Sequence, residues 1–563
     1  MSTLWKFGAL TGALALATTV AMAPRPTQAC GGTFCDAGPQ SMPVDQSGEN
    51  ILFVVDGNEI EAHIQIQYEG DPENFAWVIP LMAVPDFSIG SEALFQNLLA
   101  GTVPAYGFSS TQEQCPTPQP QTVPDRGDGG DNAASGGGLG GMEEGDGPTV
   151  VHREQVGAYQ IAVLQGGEAD EVIEWLDQNG YQQDPEAEPI IREYLAEGQL
   201  FGAIKLTAGA DVDQIHPIVL RYRSDEPCIP LRLTRIAAVE DMEVRTFFLG
   251  DERMVPTNYR HVLVNPLKID WLQLGSNYKE VISGAVDAEH ANGRAFVTEY
   301  AGPSQVVGNF NLSNPAWSSS PFRSAQPSEL PRLLEDQGLW ACGFEDCQFG
   351  HPLVGGILSE FLTLPEDVSA DEYIGCPECY PEVTQWDGEG FADAFDERIA
   401  GPGEHAQELL SQWSYVTRMY TTISPHEMTE DPIFHARGDL DDVVNNRLGN
   451  SLLRCSGDTL FTLPDGREVF IPAGSGWPEF PNEMPWEEEV AEMATSGAPM
   501  VLSNRTAEID ELLAAYNVAA GYGQDGCGSC QIEATESSRG RWAMGLAFVA
   551  LGAGAAVRRR RRR

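Results

Sequence analysis

The sequence predicts an α+β fold: antiparallel, β-rich, sandwich-like domains with blocks of helices, a Gly/Pro-rich disordered insertion and a C-terminal apolar helix. Three observations lead there. From Glu59 the apolar residues Ile60, Ala62, Ile64, Ile66 and Tyr68 alternate with Glu61, His63, Gln65 and Gln67, the period of a strand with one buried face. Thr459–Leu463 and Glu468–Ile471 flank Pro464-Asp465-Gly466, a turn between two short strands. Helical periodicity comes in runs instead of alternating one for one with strands, which favours antiparallel pairing over a parallel sheet.

Residues 1–29 are expected to be a signal peptide. After Lys6 the chain runs FGALTGALALATTVAMA and then PRPTQA, where Thr27 and Ala29 suit a small-residue cleavage site and Ala21 and Ala23 offer an alternative. Cleavage after Ala29 makes Cys30 the new N-terminus and a candidate for lipidation, although Thr27 stands where a lipoprotein signal usually carries an apolar residue. Residues 30–114 are β-rich: Asp56-Gly57-Asn58 turns a hairpin, Phe75–Ile79 is a further strand, and His63 falls on a solvated polar face. Residues 115–149 turn to Pro, Gly and Asp, a composition that cannot bury a core, and are expected to be disordered.

Residues 150–323 continue the α+β pattern. Glu168–Gln178 puts Val172, Ile173, Trp175 and Leu176 on one helical face before Asn179-Gly180, and Pro189 starts a second helix with Ile190, Ile191, Tyr194 and Leu195. Strands are expected at Ile218–Tyr222, Pro230–Val239, Val244–Leu249 and Ala295–Tyr300. Residues 324–525 form a cysteine-containing region of helices and hairpins. Its longest helix is expected over Glu404–Thr421, with Leu409, Leu410, Trp413, Val416 and Tyr420 as its buried stripe.

Residues 526–563 are expected to be an anchor. Trp542 to Val557 is 16 residues without a charge, and Arg558 to Arg563 follow at once. As a helix the apolar run reaches roughly 24 Å, short of the ~30 Å hydrocarbon core, and snorkelling arginine stems make up part of the deficit. The positive-inside rule leaves the arginine block in the cytoplasm and the body of the chain across the membrane.

The formal net charge is −50 and the only lysines are Lys6, Lys205, Lys268 and Lys279. Such a surface repels polyanions, so no nucleic-acid partner is expected, and lysine-based phosphate loops are excluded. Eleven cysteines in an exported chain read first as disulfides, with Cys30, Cys35, Cys228, Cys342, Cys347, Cys376, Cys379 and Cys455 as candidates. Cys342-x4-Cys347 with Cys376-x2-Cys379 also imitates a four-thiolate zinc site. Oxidation outside the cytosol favours two disulfides among these four, with all three pairings open. An odd total leaves at least one cysteine free, intermolecular or modified. Cys527 and Cys530, after the Gly-rich stretch Gly521 to Gly526, are candidates for processing or lipidation.

Catalytic signatures are few. No G-x-S-x-G elbow occurs, and the nearest approach to H-E-x-x-H is His426-Glu427-Met428-Thr429-Glu430, with Glu430 where the second ligand belongs. His426 and His435, with Glu427 and Asp431 between them, are the residual metal candidates. Gly136, Gly138 and Gly141 satisfy a dinucleotide fingerprint formally, without the strand and helix it needs. Arg437-Gly438-Asp439 spells an adhesion tripeptide.

Several stretches resemble a family of exported, myxobacterial-type bacterial proteins known only as a domain of unknown function. They are ACGGTFCDAGPQSMPVDQSGENILFVVDG, AHIQIQY, FAWVIPL, EWLDQNGY, DEPCIPLRLT, NYRHVLVN and VTRMYTTISPHEMTEDPIF. The likeness runs roughly over residues 29–435 and implies no established activity. The tail is similar to a myxobacterial C-terminal sorting signal of cysteine, apolar helix and arginine cluster. That resemblance implies a clip near the cysteine and delivery to the cell surface, though Gln531 to Arg541 make a longer spacer than the pattern has.

These readings converge on an exported envelope protein, anchored to a membrane or surface through its C-terminal tail, that binds or scaffolds an unknown surface ligand without catalysis and without a cofactor. The alternative is an extracellular metal-dependent hydrolase built on His426 and His435.

Overall fold

β1 (Asp45–Asp56) and β2 (Glu59–Glu69) form the expected hairpin, closed by Gly57 at φ +62°, the backbone that a tight hairpin turn demands and glycine supplies. The computed structural model describes residues 45–69, 76–114, 148–179, 181, 187–207, 214–236, 238–343, 347–365 and 367–522. The expected signal peptide, the insertion as far as residue 147 and the apolar tail lie outside the described residues, as do Ala29, Cys30, Cys35, Cys527 and Cys530.

The hairpin lies inside a ten-stranded sheet. Its order is Met500–Asn504, Glu487–Glu492, Arg260–Val264, Ala295–Pro303, Tyr415–Ile423, Ala238–Gly250, β1, β2, Ile218–Arg223 and Asp86–Ile89. Only two neighbouring pairs are parallel, β1 with Ala238–Gly250 and Arg260–Val264 with Ala295–Pro303. The fold is therefore mixed α/β with antiparallel pairing dominant, as the sequence implied. Strands from residues 30–114, 150–323 and 324–525 all enter this one sheet.

A second, antiparallel sheet of Ala76–Leu81, Leu200–Leu206, Tyr159–Gln165 and Thr149–Val156 stacks on its end as a sandwich. Trp77, Ile79, Tyr159, Ile161 and Ile204 of the small sheet meet Ile218, Leu220, Phe87 and Ile89 of the large one. Behind the small sheet pack the helices Ala169–Gln178 and Ala187–Ala196 through Val172, Leu176, Ile191 and Tyr194. The first of these is capped by Glu168 and Glu171, which close a capping box.

The opposite face of the large sheet is covered by α1 (Glu92–Thr102) and the helix Gly401–Gln412. Leu94, Phe95 and Leu98 of α1 and Ala406 and Leu409 of the second helix pack on Leu52, Val54, Phe247 and Leu249. Fully burying one such side chain contributes about 1.5–3 kcal/mol. A helical region around Phe322, Leu334, Ile357, Phe391 and Phe395 forms a separate core, and the C-terminal helix Thr506–Ala520 ends at Gly521, which adopts φ +102° as a left-handed cap.

Two elements depart from the sequence reading. Pro230–Val239, expected as a strand, contains the short helix Leu231–Thr234, and the strand starts at Ala238. The helix expected over Glu404–Thr421 ends at Gln412, and Tyr415–Ile423 is a buried central strand. Its β-branched run of Val416, Thr417, Thr421, Thr422 and Ile423 suits a strand in the middle of a sheet. The polar face of β2 is a third correction. His63 is only 1% exposed, because helices cover the face that alternation alone assigns to water.

Candidate functional site

Three stretches distant in sequence meet at one end of the sandwich. The Ile229 amide donates to the Pro432 carbonyl at 3.1 Å and the Phe434 amide donates to the Pro227 carbonyl at 3.1 Å, setting Cys228 opposite Ile433. The Asn258 side chain brackets the same segment, donating to the Asp431 carbonyl at 2.8 Å and accepting from the Ile433 amide at 2.9 Å. The Tyr259 hydroxyl donates to the Glu430 carbonyl at 2.8 Å. The segment carrying Asp431 is thus held from three sides.

The Asp431 carboxylate accepts from the Arg232 amide at 2.9 Å, from Arg232 Nε at 3.0 Å and from the Tyr194 hydroxyl at 2.8 Å. Arg232 also grips Glu197 through both terminal nitrogens at 2.8 Å and stacks 4.1 Å above the Tyr194 ring, a cation–π contact. Burial pushes the Asp431 carboxyl up from its ordinary range against the opposing pull of Arg232. Burial raises the Cys228 thiol, with Asp431 adding to the effect, and raises the Tyr194 hydroxyl in the same way.

Above this ion pair opens a cleft of about 640 Å³ whose rim includes Asn58, Arg223, Asp225, Glu226 and Glu430. Below it an apolar recess of about 110 Å³ runs between Ile51, Phe53, Ala62, Ile79, Leu81 and Tyr222. Met82, 66% exposed, lines both, together with Glu226, Cys228 and Asp431. On the rim Arg223 pairs with Glu59 at 2.9 Å and Glu430 with Arg294 at 2.9 Å. Asp225 and Glu226 have no ion-pair partner among the described residues, so the mouth carries uncompensated negative charge over an apolar floor.

Of the cysteines read as disulfide candidates, Cys342 bonds Cys347 and Cys376 bonds Cys379. The four are two disulfides, each within its own pair. Cys455 is also disulfide-bonded. Cys228 is a correction: it is a free thiol, because its segment pairs with Ile433 and aims the side chain into the cleft, where no other cysteine among the described residues lines the wall.

His426 and His435 do not form a site. The His426 side chain is 74% exposed, 4.0 Å from Glu427. His435 is buried, with Nδ1 2.9 Å from the Thr257 hydroxyl and Nε2 3.3 Å from the Ala494 carbonyl, so both ring nitrogens are occupied. Arg437 is also buried, and donates to the Asp439 carboxylate and to the carbonyls of Ala494 and Gly497. The arginine of that tripeptide is therefore not displayed, although Gly438 and Asp439 are exposed. Among the described residues, the metal-type ligand atoms that do converge belong to Glu61, His63 and His405. Sequence reasoning missed them because His405 lies 342 positions beyond His63.

The fold and cleft define a mixed α/β sandwich with an amphipathic groove. Residues 24–313 match the family described as "uncharacterized protein conserved in bacteria" (DUF2330), and the chain belongs to this bacterial family. No curated protein and no solved structure matches it. Among the described residues no helix is long and apolar enough to cross a membrane.

Proposed function

We propose that this is an exported envelope protein, anchored through its C-terminal tail, that binds without catalysis an amphipathic ligand carrying an amine or guanidinium head. The observation that carries this reading is the cleft, where Asp225 and Glu226 stand unpaired over an apolar recess. A concave, largely apolar site with few polar groups suits a small ligand or one anchoring side chain of a partner. The adaptable Met82 at the rim favours tolerance of ligand shape. The signal-like N-terminus, the arginine-flanked apolar tail and the net charge of −50 support export, anchoring and avoidance of nucleic acid.

The test is calorimetric titration of the purified full chain with n-alkylamines and with n-alkyl carboxylates of matched length. Amines should bind more tightly than carboxylates of the same length, each series gaining about 0.8 kcal/mol for every methylene that fits the recess, and Glu226→Gln should reduce the preference for amines. Equal binding of both series, or of neither, would refute the reading.

A further inference from the structure

On the far side of the large sheet, away from the cleft, β2 buries a polar row. Glu61 and His63 alternate with Ile60, Ala62 and Ile64 and point to the helix layer, where Arg221 is the cross-strand neighbour of Glu61. The helix Gly401–Gln412 lies over them and brings in His405. It is entered through a π-turn at Asp396–Ala400, a device that re-phases a helix and is frequent at functional sites.

His63 Nε2 lies 2.7 Å from Glu61 Oε1, and His405 Nε2 lies 2.5 Å from the same oxygen. Arg221 Nε donates to Glu61 Oε2 at 2.8 Å, while its terminal nitrogen stands 3.1 Å from His405 Nε2. Counting protons shows that no arrangement satisfies all four contacts. If His405 Nε2 carries hydrogen for Glu61, an N–H of Arg221 faces another N–H. If His405 Nε2 accepts from Arg221, its bare nitrogen faces a carboxylate oxygen. His63 Nδ1 is buried without a hydrogen-bond partner, and buried polar atoms are ordinarily paired. The group is therefore poorly explained as a finished hydrogen-bond network.

A cation among the three atoms would take both imidazole lone pairs and Glu61 Oε1, with the terminal nitrogen of Arg221 turning away from His405. Glu61 Oε1, His63 Nε2 and His405 Nε2 each offer a lone pair, all within 4.8 Å of one another, and Arg221 keeps its bond to Glu61 Oε2. The geometry points to a divalent transition-metal site of the zinc class, with Glu61, His63 and His405 as protein ligands and a fourth position open. Two imidazoles and a carboxylate suit zinc and its neighbours, and three protein ligands are the usual complement of an open tetrahedral site. The ligand atoms need to part by somewhat under about 1 Å to reach zinc-type separations.

There is a way in. A cleft of about 390 Å³ reaches His405 and Arg221, and Glu154, Asp396 and Glu397 line it, a charge pattern that draws cations inward.

The experiment uses the untagged full chain, stripped with chelator and titrated with Zn²⁺ by calorimetry and with Co²⁺ by visible absorption. One equivalent of each should bind, Co²⁺ with the intense bands of four-coordinate, histidine-bound metal. His405→Ala, on a partly exposed helix position, should weaken Zn²⁺ at least tenfold with the thermal transition of the metal-free protein retained, and His426→Ala should not change it. If His405→Ala fails to fold, Glu61→Gln supplies the same comparison. Failure of the wild-type chain to bind either metal, loss of binding in His426→Ala, or full binding in the folded His405 or Glu61 variant would overturn the assignment. Because the metal site and the amphipathic cleft lie on opposite faces of the sheet, neither result depends on the other.

Discussion

Acidification should destabilise this protein through histidines that the fold keeps neutral, and His216 allows the effect to be worked out. Its ring is buried against Tyr159, with centroids 4.7 Å apart. Nε2 accepts from the Ala158 amide at 3.1 Å, and Nδ1 lies 3.0 Å from the Pro217 carbonyl and donates to it. A second proton on Nε2 must displace the Ala158 amide. Burial is the main reason that the pKa is pushed down to about 4, with the charge of Arg398 acting in the same sense. Unfolded histidine titrates near 6.5, so between pH 6.5 and 4 the unfolded chain binds more protons than the folded one. Stability is then fully present above about pH 6.5 and is lost as pH falls toward 4. At 1.36 kcal/mol per pKa unit the full loss is about 3 kcal/mol, of which about 2 kcal/mol is gone by pH 5. His261, pushed down to about 3 by burial and by Arg253, and His351, to about 4 by burial, act with the same sign. The assay is urea denaturation of wild-type protein and His216→Gln at pH 7 and pH 5. The stability gap between the two proteins should change by about 2 kcal/mol, the variant being the less acid-sensitive, whatever the substitution costs at pH 7. Parallel losses in the two proteins would refute the reasoning.

Two further outcomes are expected. Asp431→Ala leaves Arg232 and Tyr194 without their buried partner and should cost about 3–5 kcal/mol in the same denaturation assay. A Cβ on Gly403 would overlap the Leu312 carbonyl, whereas one on Gly375 meets nothing within 4 Å. Gly403→Ala should therefore destabilise by about 1–3 kcal/mol and Gly375→Ala, within a short helix, should be neutral or slightly stabilising, both read as shifts in thermal midpoint.

What could be read from the sequence was what is encoded locally. The β1–β2 hairpin, the capped helix after Glu168 and the strand pair around Pro464-Asp465-Gly466 all carry their signal within a dozen residues. The helix that stops at Gln412 was over-extended because Val416 and Tyr420, four positions apart, fit a helical stripe as well as one face of a strand. Alternation along β2 gave the two faces correctly but not what lies on them: helices bury both histidine and carboxylate where water was expected. The cleft was illegible for a different reason. Its floor joins residues near 194, 228, 258 and 431, and no periodicity links positions that far apart.

The place of Tyr415–Ile423 between Ala238–Gly250 and Ala295–Pro303 has a consequence for how the chain assembles. Until residue 423 is available, the large sheet exists only as two half-sheets, each ending in a long strand with an unsatisfied edge. Such edges template pairing with other chains, and a closure this late in the sequence is slow as well as non-local. The segment of residues 24–313 that matches the family stops before the keystone strand is made. Cut at that boundary, the chain should yield a sticky, aggregation-prone fragment, because the limit of family likeness is not the limit of a cooperative folding unit.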